Sequence, residues 1–297
     1  MKHIFIVNPK SGNGLAERSI QFIRQYCADQ KLDFELLITE MEGQAKDLAA
    51  RFHAEDSVCL YAVGGDGTAY DVANGLNDRV PLAIIPAGTS NDFFRMISDR
   101  RESIEQVIEE TIRGRFVNVD LGATSHSRFL NCTTMGLDAR VNDMVNRLLK
   151  RSFLPRMMLY GVSAVINVFR LQPFHVVLDA DGQRCEEDCI LLAVMNGKAY
   201  GNGVIPIKGV DLKDGLLNIC MIQSDKLSNI LPLLPKYMSG HADTLTQAKF
   251  LTARSIHLQA DQKVCMQSDG ETFYSAEEYF RVDPGRLILR VPESSVL

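Results

Sequence analysis

Val58-Cys59-Leu60-Tyr61-Ala62-Val63-Gly64-Gly65-Asp66-Gly67-Thr68 joins an unbroken apolar run to a glycine-rich turn. An apolar run without alternation predicts a strand that is buried on both faces, as in a parallel sheet. The glycines tolerate positive φ, and we expect a helix with Thr68 as its N-cap or first-turn residue. Amides exposed at such a helix start favour phosphate. An ordinary strand-to-helix turn uses the same glycines, so the stretch alone predicts only a phosphate-compatible turn.

The remainder of the first 120 residues alternates short apolar runs with helical patterns. These segments are residues 4–7, 15–30, 34–39, 44–53 and 82–85. The alternation predicts a parallel sheet with crossover helices, whose ligand loops follow the strand ends. Three polar or glycine-rich loops hold that position, namely residues 8–14, 64–68 and 86–92. We expect them to line one crevice.

The pattern changes after residue 120. A helical stretch at 138–170 is followed by short segments at 175–179, 189–194, 217–222, 255–259, 263–267 and 287–291. Ala180-Asp181-Gly182 and Asp283-Pro284-Gly285 have the composition of hairpin turns. The predicted fold is therefore α/β plus β. We expect residues 1–123 to form the α/β domain, which residues 292–297 can complete, and residues 124–291 to form a mainly antiparallel β domain.

Composition restricts the function and the compartment. The chain has 297 residues, 46% of them hydrophobic, and a formal net charge of -5, which argues against nucleic-acid binding. Its seven cysteines are odd in number and scattered, which indicates a cytoplasmic protein without a disulfide framework. Arg156 and Arg170 flank the longest apolar candidate, so we expect no transmembrane span. Any membrane substrate would have to be reached from the water side.

Four motifs occur in a fixed order along the chain. They are Asn-Pro-Lys-Ser-Gly at 8–12, Gly-Gly-Asp-Gly-Thr at 64–68, Pro-Ala-Gly-Thr-Ser-Asn-Asp-Phe at 86–93 and Ser-Asp-Gly-Glu at 268–271. The P-loop motif is absent, and Gly12-Asn13-Gly14 lacks the spacing of a dinucleotide fingerprint. Together the four motifs resemble the diacylglycerol kinase catalytic family in its soluble bacterial lipid-kinase form. The resemblance spans roughly residues 3–291.

The resemblance implies that residues 1–123 are a nucleotide-binding domain of phosphofructokinase- or NAD-kinase-like fold. It also implies that residues 124–291 are an antiparallel β-sandwich that takes the lipid substrate. It also implies a set of ATP-binding residues, namely Asn8, Lys10, Ser11, Gly12, Thr39, Gly64, Gly65, Asp66, Gly67, Thr68, Asp71, Thr89 and Asn91. Carboxylates near the catalytic Mg²⁺ would be Asp66, Asp92 and Asp120. Family members often have Asn-Glu where this chain has Tyr70-Asp71, which leaves the charge but changes the local nucleotide contacts.

The resemblance further places the general base in the Asp269-Gly270-Glu271 motif, where we favour Asp269 and leave Glu271 open. A positioned carboxylate between the domains would accept the proton of a lipid hydroxyl. The same composition is also that of an ordinary hairpin. A structural Mg²⁺ is implied at Asp211, Asp214 and Leu216, with the Asp214 carboxylate and the other two backbone carbonyls as ligands. Taken alone, the loop at 211–216 has the composition of a solvated turn, although its hard oxygen ligands suit Mg²⁺.

The expected function is an ATP- and Mg²⁺-dependent lipid kinase. Diacylglycerol converted to phosphatidic acid is the family default, and sphingoid lipids and phosphatidylglycerol are alternative substrates. An NAD kinase, which shares the Gly-Gly-Asp-Gly-Thr loop, is the main alternative. A nucleotide-sensing module without catalysis is another, although the intact Asp66, Asp269 and Glu271 argue against it. A homodimer is compatible with each of these functions.

Other segments carry weaker indications. Residues 147–174 combine five basic residues with apolar ones, which suits transient peripheral contact with the inner face of an anionic membrane; a buried Met-rich helix has a similar composition. Arg95 is a candidate for neutralising the transferred phosphate, or a solvated surface residue. We expect residues 185–188 to form a polar turn rather than a metal site.

Overall fold

The computed structural model describes residues 1–99, 102–149, 156–170, 172–224, 230 and 232–297. The chain divides into two compact units, Met1–Leu121 with Asp283–Leu297, and Gly122–Val282. The sequence-based division differs chiefly at 283–291, which we assigned to the second domain. This segment belongs to the first unit because Leu289 and Arg290 pair in parallel with residues of an N-terminal strand.

The first unit is built on parallel strands. Its strands are β1 (Lys2–Val7), β2 (Phe34–Ile38), β3 (Val58–Gly64) and β4 (Leu82–Pro86), and β5 (Arg115–Ala123) and β13 (Glu271–Val291) contribute residues to both units. The order is β2, β1, β3, β4 and the end of β13, and each of these pairs is parallel. Every residue of β3 is buried, as an unbroken apolar run requires.

Helices connect these strands. They are α1 (Leu15–Asp29), α2 (Gln44–Ala49), α3 (Asp66–Gly75), α4 (Phe94–Ile97) and α5 (Ile104–Arg113). Helix α5 begins at a capping box, in which the Ser103 side chain accepts from the Gln106 backbone and the Gln106 side chain accepts in return. Helix α3 approaches α2 so closely that a Cβ on Gly75 would lie 2.1 Å from the carbonyl oxygen of Lys46.

The second unit is mainly antiparallel. Its other strands are β6 (Arg128–Phe129), β7 (Cys132–Gly136), β8 (Phe174–Ala180), β9 (Gln183–Met195), β10 (Leu217–Gln223), β11 (Ala248–Ala253) and β12 (Ser255–Ser268). Its helices are α6 (Leu137–Leu149), α7 (Arg156–Phe169) and α8 (Leu233–Met238). Two separate apolar clusters, one containing Phe174 and Met266 and the other Met195 and Tyr237, form its core.

Several sequence-based boundaries need correction. The single helical stretch at 138–170 comprises two helices, α6 and α7, and residues 150–155 lie outside the described part. Residues 185–188 are not a turn, because they pair with β8 as part of β9. The segments 255–259 and 263–267 belong to one strand, β12, with a register shift between Gln259 and Val264.

The two predicted hairpin turns have different outcomes. Ala180-Asp181-Gly182 links β8 to β9, and φ is +52° at Asp181 and +86° at Gly182, as a tight hairpin requires. Asp283-Pro284-Gly285 does not reverse the chain and lies inside β13. Gly285 has φ +60°, and its N–H donates to the Asp120 carboxylate instead of closing a turn.

We expect Gly75→Ala to lower the free energy of unfolding by about 1–3 kcal/mol, because the new methyl group meets the Lys46 carbonyl and the two helices must separate. Urea denaturation of the full-length chain measures this change. Gly67→Ala is the matched control in the same helix, since a Cβ there meets nothing within 4 Å. Equal unfolding midpoints for the two variants would refute the packing argument.

Candidate functional site

The loops that follow β1, β3 and β4 meet at the carboxyl edge of the first unit's sheet. A Cβ on Gly88 would lie 2.3 Å from the Cα of Gly65, so these two loops touch through their backbones. Gly12 has φ +58°, and a Cβ there would lie 2.2 Å from the carbonyl oxygen of Ala87. The structure therefore brings all three predicted ligand loops together, and only glycine permits so close an approach.

Asn8 and Thr68 join the first two of these loops. The Asn8 Nδ2 donates to Thr68 Oγ1 at 3.4 Å, and the Asn8 backbone N–H donates to the carbonyl of Val63 at 3.0 Å. Gly65 is the N-cap of α3, so Thr68 is a first-turn residue and not the cap. A Cβ on Gly64 would lie 2.3 Å from Thr68 Oγ1, which explains the first glycine of the motif.

Asp66 and Asp92 form a pair of carboxylates at this edge. Burial raises the pKa of Asp66 to about 6, and the neighbouring charge of Asp92 adds to the shift. Backbone N–H groups oppose it, including that of Phe93, which donates to Asp66 Oδ1 at 3.3 Å. The guanidinium of Arg95 lies 3.8 Å from the buried Asp92 carboxylate, so Arg95 already faces an anion of the protein. The site thus gathers negative charge that a bound cation would relieve.

Other predicted ligands lie around the same loops in different roles. The side chain of Asn91 accepts from Gly88 N–H at 3.0 Å and donates to the carbonyls of Pro86 and Gly88, so it holds its own loop in shape. Thr39 is buried at the end of β2, where its backbone N–H donates to the Val7 carbonyl. Lys10 and Thr89 are exposed, Ser11, Tyr70 and Asp71 are half-buried, and Gly67 is exposed.

Asp120 is buried on β5, and its Oδ1 accepts from Gly285 N–H at 2.8 Å. This bond ties Asp120 to the segment that returns to the first unit at 283–291. Its predicted place in the carboxylate network remains a prediction.

The Ser268-Asp269-Gly270-Glu271 motif lies in the second unit and forms the hairpin between β12 and β13. Ser268 pairs with Glu271, and the two central residues have φ +45° and +102°. Positive φ at both central positions is the geometry of a type I′ turn, for which Asp-Gly is a favoured sequence. Glu271, the first residue of β13, is exposed.

The Asp269 carboxylate accepts hydrogen bonds from three consecutive backbone amides. Oδ1 accepts from Asn131 and Cys132, both at 3.0 Å, and Oδ2 accepts from Leu130 at 2.5 Å. The Asp269 N–H donates in return to the Cys132 carbonyl at 3.0 Å. A carboxylate in such a nest of amides is held in one orientation.

Polar side chains hold Gly270 on both sides. Its N–H donates to Gln267 Oε1 at 2.6 Å, and its carbonyl accepts from Nδ2 of Asn142 at 2.6 Å and of Asn146 at 3.3 Å. The Tyr160 hydroxyl on α7 donates to Asn142 Oδ1 at 3.1 Å. Sequence reasoning missed these residues. Two asparagines four apart on a helix mark one polar face, but the pattern does not reveal its partner.

In the predicted metal loop, two aspartate side chains each accept a hydrogen bond from the backbone N–H two residues later. Asp211 Oδ1 accepts from Lys213 N–H at 3.0 Å, and Asp214 Oδ1 accepts from Leu216 N–H at 2.9 Å. Across the described residues, no three His, Cys, Asp or Glu side chains are grouped to hold an ion. A cation here would depend on the Asp214 carboxylate with backbone carbonyls, a hard-oxygen set that fits Mg²⁺.

Comparison with known proteins agrees with this division. Residues 2–124 match the model of the diacylglycerol kinase catalytic domain, and residues 131–291 match the YegS C-terminal NAD kinase beta sandwich-like domain. The two matches confirm the resemblance drawn from the four motifs. The second agrees with the β-sandwich expected of the C-terminal domain.

Individual relatives are distant but nearly full-length. The diacylglycerol kinase of Mycobacterium tuberculosis strain H37Rv is 27% identical over 262 residues, which cover 86% of this chain and 84% of the relative. A Pseudomonas aeruginosa protein named "Probable lipid kinase YegS-like" is 28% identical over 88% of this chain and 85% of its own length. The crystal structure of a Bacillus anthracis diacylglycerol kinase superposes with a TM-score of 0.75 at 24% identity, covering 99% and 98% of the two chains, which supports the fold.

We expect Asp66→Asn to stabilise the chain more at high pH than at low pH. The folded pKa of about 6 lies above the ordinary 3.8, so the wild-type free energy of unfolding falls as the pH rises between these values. The asparagine variant lacks this loss and should gain about 1–3 kcal/mol relative to wild type between about pH 4 and 8. Urea denaturation at the two pH values measures the difference. Asp47→Asn, at an exposed site on α2, is the control, and an equal gain there would contradict the assignment.

Proposed function

The chain belongs to the diacylglycerol kinase family, in the branch with a YegS-type C-terminal domain, and on this premise we propose that it transfers the γ-phosphate of ATP to a lipid hydroxyl. Diacylglycerol, converted to phosphatidic acid, is the first substrate we propose. The M. tuberculosis relative that is named a diacylglycerol kinase supports this choice. The observation that carries the proposal is the contact of the three glycine-rich loops at Gly12, Gly65 and Gly88.

We propose that ATP binds at these loops. The touching backbones leave room for phosphate oxygens beside the start of α3, where amide dipoles favour negative charge. Asn8 and Thr68 hold two of the loops together, and Asn91 holds the third in shape. The paired carboxylates of Asp66 and Asp92 would repel a bare triphosphate, which supports a nucleotide that arrives with Mg²⁺.

Mg²⁺ would supply charge neutralisation for the transferred phosphate when it is bound with the nucleotide. We assign its environment to Asp66 and Asp92, with Asp120 as a further acidic neighbour. The loop of Asp211, Asp214 and Leu216 would hold a second, structural ion through oxygen ligands. The residues of the chain then bind and orient the reactants, which is where most of the rate of phosphoryl transfer originates.

We propose that Glu271, and not Asp269, takes the proton of the lipid hydroxyl. The sequence favoured Asp269, but its two oxygens already accept three backbone N–H bonds. Hydrogen bonds to the charged form of a carboxylate make it a weaker base. Glu271 is exposed at the start of β13, one residue from the clamped Gly270. Asp269 is then a positioning residue for the hairpin.

Incubation of the purified protein with Mg²⁺, radiolabelled ATP and a total lipid extract tests the function, with mass analysis of the labelled product. We expect label in a lipid that carries one added phosphate, and phosphatidic acid when diacylglycerol is supplied alone. NAD is offered in a parallel reaction. Label in NAD and in no lipid would refute the proposal in favour of an NAD kinase. No transfer to either acceptor would favour a nucleotide-sensing module.

We expect Glu271→Gln to lower kcat about 10²- to 10⁴-fold, the usual contribution of a positioned base, with little change in unfolding. Asp269→Asn should instead lower the free energy of unfolding by about 1–3 kcal/mol, because an amide nitrogen cannot accept the bonds that a carboxylate oxygen accepted. Initial rates at saturating ATP and urea denaturation of both variants separate the roles. A stable Asp269→Asn variant with no activity, beside an active Glu271→Gln variant, would return the base to Asp269.

A further inference from the structure

The carboxyl group of Asp138 meets two phenol hydroxyls in the second unit. The Tyr200 hydroxyl donates to Asp138 Oδ2, and the Tyr237 hydroxyl lies 3.3 Å from that oxygen and 2.8 Å from the Tyr200 hydroxyl. Asp138 is in the first turn of α6, Tyr200 follows β9 and Tyr237 lies on α8. These side chains therefore form a tertiary contact, the Asp138 cluster, that joins three elements of the unit.

The Asp138 cluster adjoins an apolar core. Cys132, Cys220 and Tyr237 are buried in that core, and Tyr200 packs against it. With Asp138 neutral, the carboxyl O–H and the two phenol O–H groups can each donate to a neighbouring oxygen of the cluster. With Asp138 ionised, a negative charge lies beside a core that offers it little hydration, which costs free energy. The neutral form therefore fits this position better than the charged form.

Asp138 is the group of this cluster that changes charge near neutral pH. Burial raises the pKa of Asp138 to about 7, and the hydrogen bond from Tyr237 opposes the rise. The titratable groups that face the cluster from other elements are Tyr200, Tyr237, Cys220 on β10 and Cys132 on β7. Burial raises the pKa of Cys220 to about 12 and the pKa of Tyr237 well above its ordinary value, so neither ionises together with Asp138. On α6 itself, Arg140 and Asp143 lie roughly 160° and 140° around the helix from Asp138.

Asp138 shares one face of α6 with Asn142 and Asn146. The three residues are spaced by four, so each step turns only about 40° around the helix. Asn142 Nδ2 donates to the Gly270 carbonyl at 2.6 Å, and Asn146 Nδ2 donates to it at 3.3 Å. One end of this polar face thus contacts the two tyrosines, and the other end holds the residue before Glu271. Because Asn142 lies only one turn, about 6 Å, beyond Asp138, a displacement of the helix start also moves Asn142 relative to Gly270.

We propose that the Asp138 cluster is a proton-controlled positioning site for the hairpin that carries Glu271. While Asp138 is neutral, the start of α6 stays against the apolar core and Asn142 holds the Gly270 carbonyl. When Asp138 loses its proton to solvent, the carboxylate turns toward water, the start of the helix moves with it, and the hold on Gly270 loosens. The inference rests on the proposed lipid kinase function, because the hairpin is assigned to that reaction. Asp138 and Asn142 are positioning residues that act through Gly270.

Infrared spectroscopy of the purified full-length chain tests the proton site without nucleotide or lipid. A protonated carboxyl group has its own carbonyl band. We expect such a band to disappear with a midpoint near pH 7 in the wild type and to be missing from Asp138→Asn. Asp66, with a pKa of about 6, gives a second band that Asp66→Asn removes. A band near pH 7 that persists in Asp138→Asn, or a wild type in which no band titrates there, would overturn the proton site.

The pH dependence of kcat tests the control of the hairpin. With saturating ATP, Mg²⁺ and diacylglycerol, we expect the wild-type kcat to fall about fivefold between about pH 6 and 8.5, the size of effect that one lost hydrogen bond produces. Asp138→Asn keeps a neutral amide in place of the carboxyl group, so its kcat should not fall over this range. Asp143→Asn, on another face of α6, is the control and should fall as the wild type does. An equal fall in Asp138→Asn and the wild type would refute the control of the hairpin.

Tyr237→Phe tests the direction of the coupling. A phenol that donates to a charged carboxylate lowers its pKa, so loss of the Tyr237 hydroxyl should move the kcat midpoint about one pH unit upward. Tyr200→Phe removes the other donor at a half-buried site and should shift the midpoint the same way, which preserves the test where Tyr237→Phe unfolds. Tyr279→Phe, which removes an exposed hydroxyl that donates to Glu277, is the matched control. A midpoint that stays in place or moves downward in the cluster variants would contradict the assignment.

Asn142→Ala tests the connection between the cluster and the hairpin. Its kcat at the lower pH should already equal the wild-type value at the higher pH and fall no further, while the infrared midpoint of Asp138 stays unchanged. An Asn142→Ala variant that keeps the wild-type pH dependence would overturn the connection. Absence of phosphate transfer to any lipid by the wild type would refute the lipid kinase function and with it the control of kcat, while the infrared titration decides the proton site by itself.

Discussion

Backbone contact between the loops after β1, β3 and β4 is the constraint on which the first unit depends. Gly65 and Gly88 approach so closely that a Cβ on Gly88 would lie 2.3 Å from the Cα of Gly65. A Cβ on Gly12 would lie 2.2 Å from the carbonyl oxygen of Ala87. A side chain at Gly88 or at Gly12 would separate the strand ends. The buried run of β3 sets where the loops emerge, and the glycines set how tightly they close. The buried strand and the glycines therefore determine both the fold of the first unit and the phosphate-compatible edge of its sheet.

In the second unit, the corresponding constraint is the fixed orientation of the half-buried hairpin at 268–271. Main-chain groups do most of this. Three amides fix the Asp269 carboxylate, and the peptide groups of Gly270 are held by Gln267 and Asn142. An Asp-Gly turn without such anchors would sample several orientations, because its flanking strands restrain only its ends. Asp269, which the sequence favoured as the base, thus also holds the hairpin in place, and Glu271 is exposed at the start of β13.

The sequence predicted what depends on local pattern. The strands at 4–7, 58–63 and 82–85 lie where apolar runs indicated them, and the three loops predicted to hold a ligand lie where the glycines indicated. Long-range pairing was beyond such reasoning. The return of 283–291 to the first unit depends on parallel pairing with β4, which no local signal reports. The clamp on Gly270 likewise joins residues more than a hundred positions apart, and composition cannot specify which amide meets which carbonyl. A polar strand such as 185–188 resembles a turn in sequence, because its polar residues show no apolar alternation. Only the pairing with β8 identifies it as a strand.

Helix α7 leaves Met158, Val162, Val165 and Phe169 exposed to solvent. Its orientation therefore requires an explanation at the level of the whole unit. Folding stabilises the chain when apolar side chains leave water, so a helix that buries Ser163 and Asn167 while Phe169 stays in solvent forgoes part of that gain. A reversed helix orientation would recover it, but it would withdraw Tyr160 from Asn142 and release one anchor of the Gly270 carbonyl. The orientation is thus tied to the hairpin. The hydrophobic free energy that burial of this face would release is left unused, and the hydrogen bonds to the hairpin account for the orientation that the helix keeps.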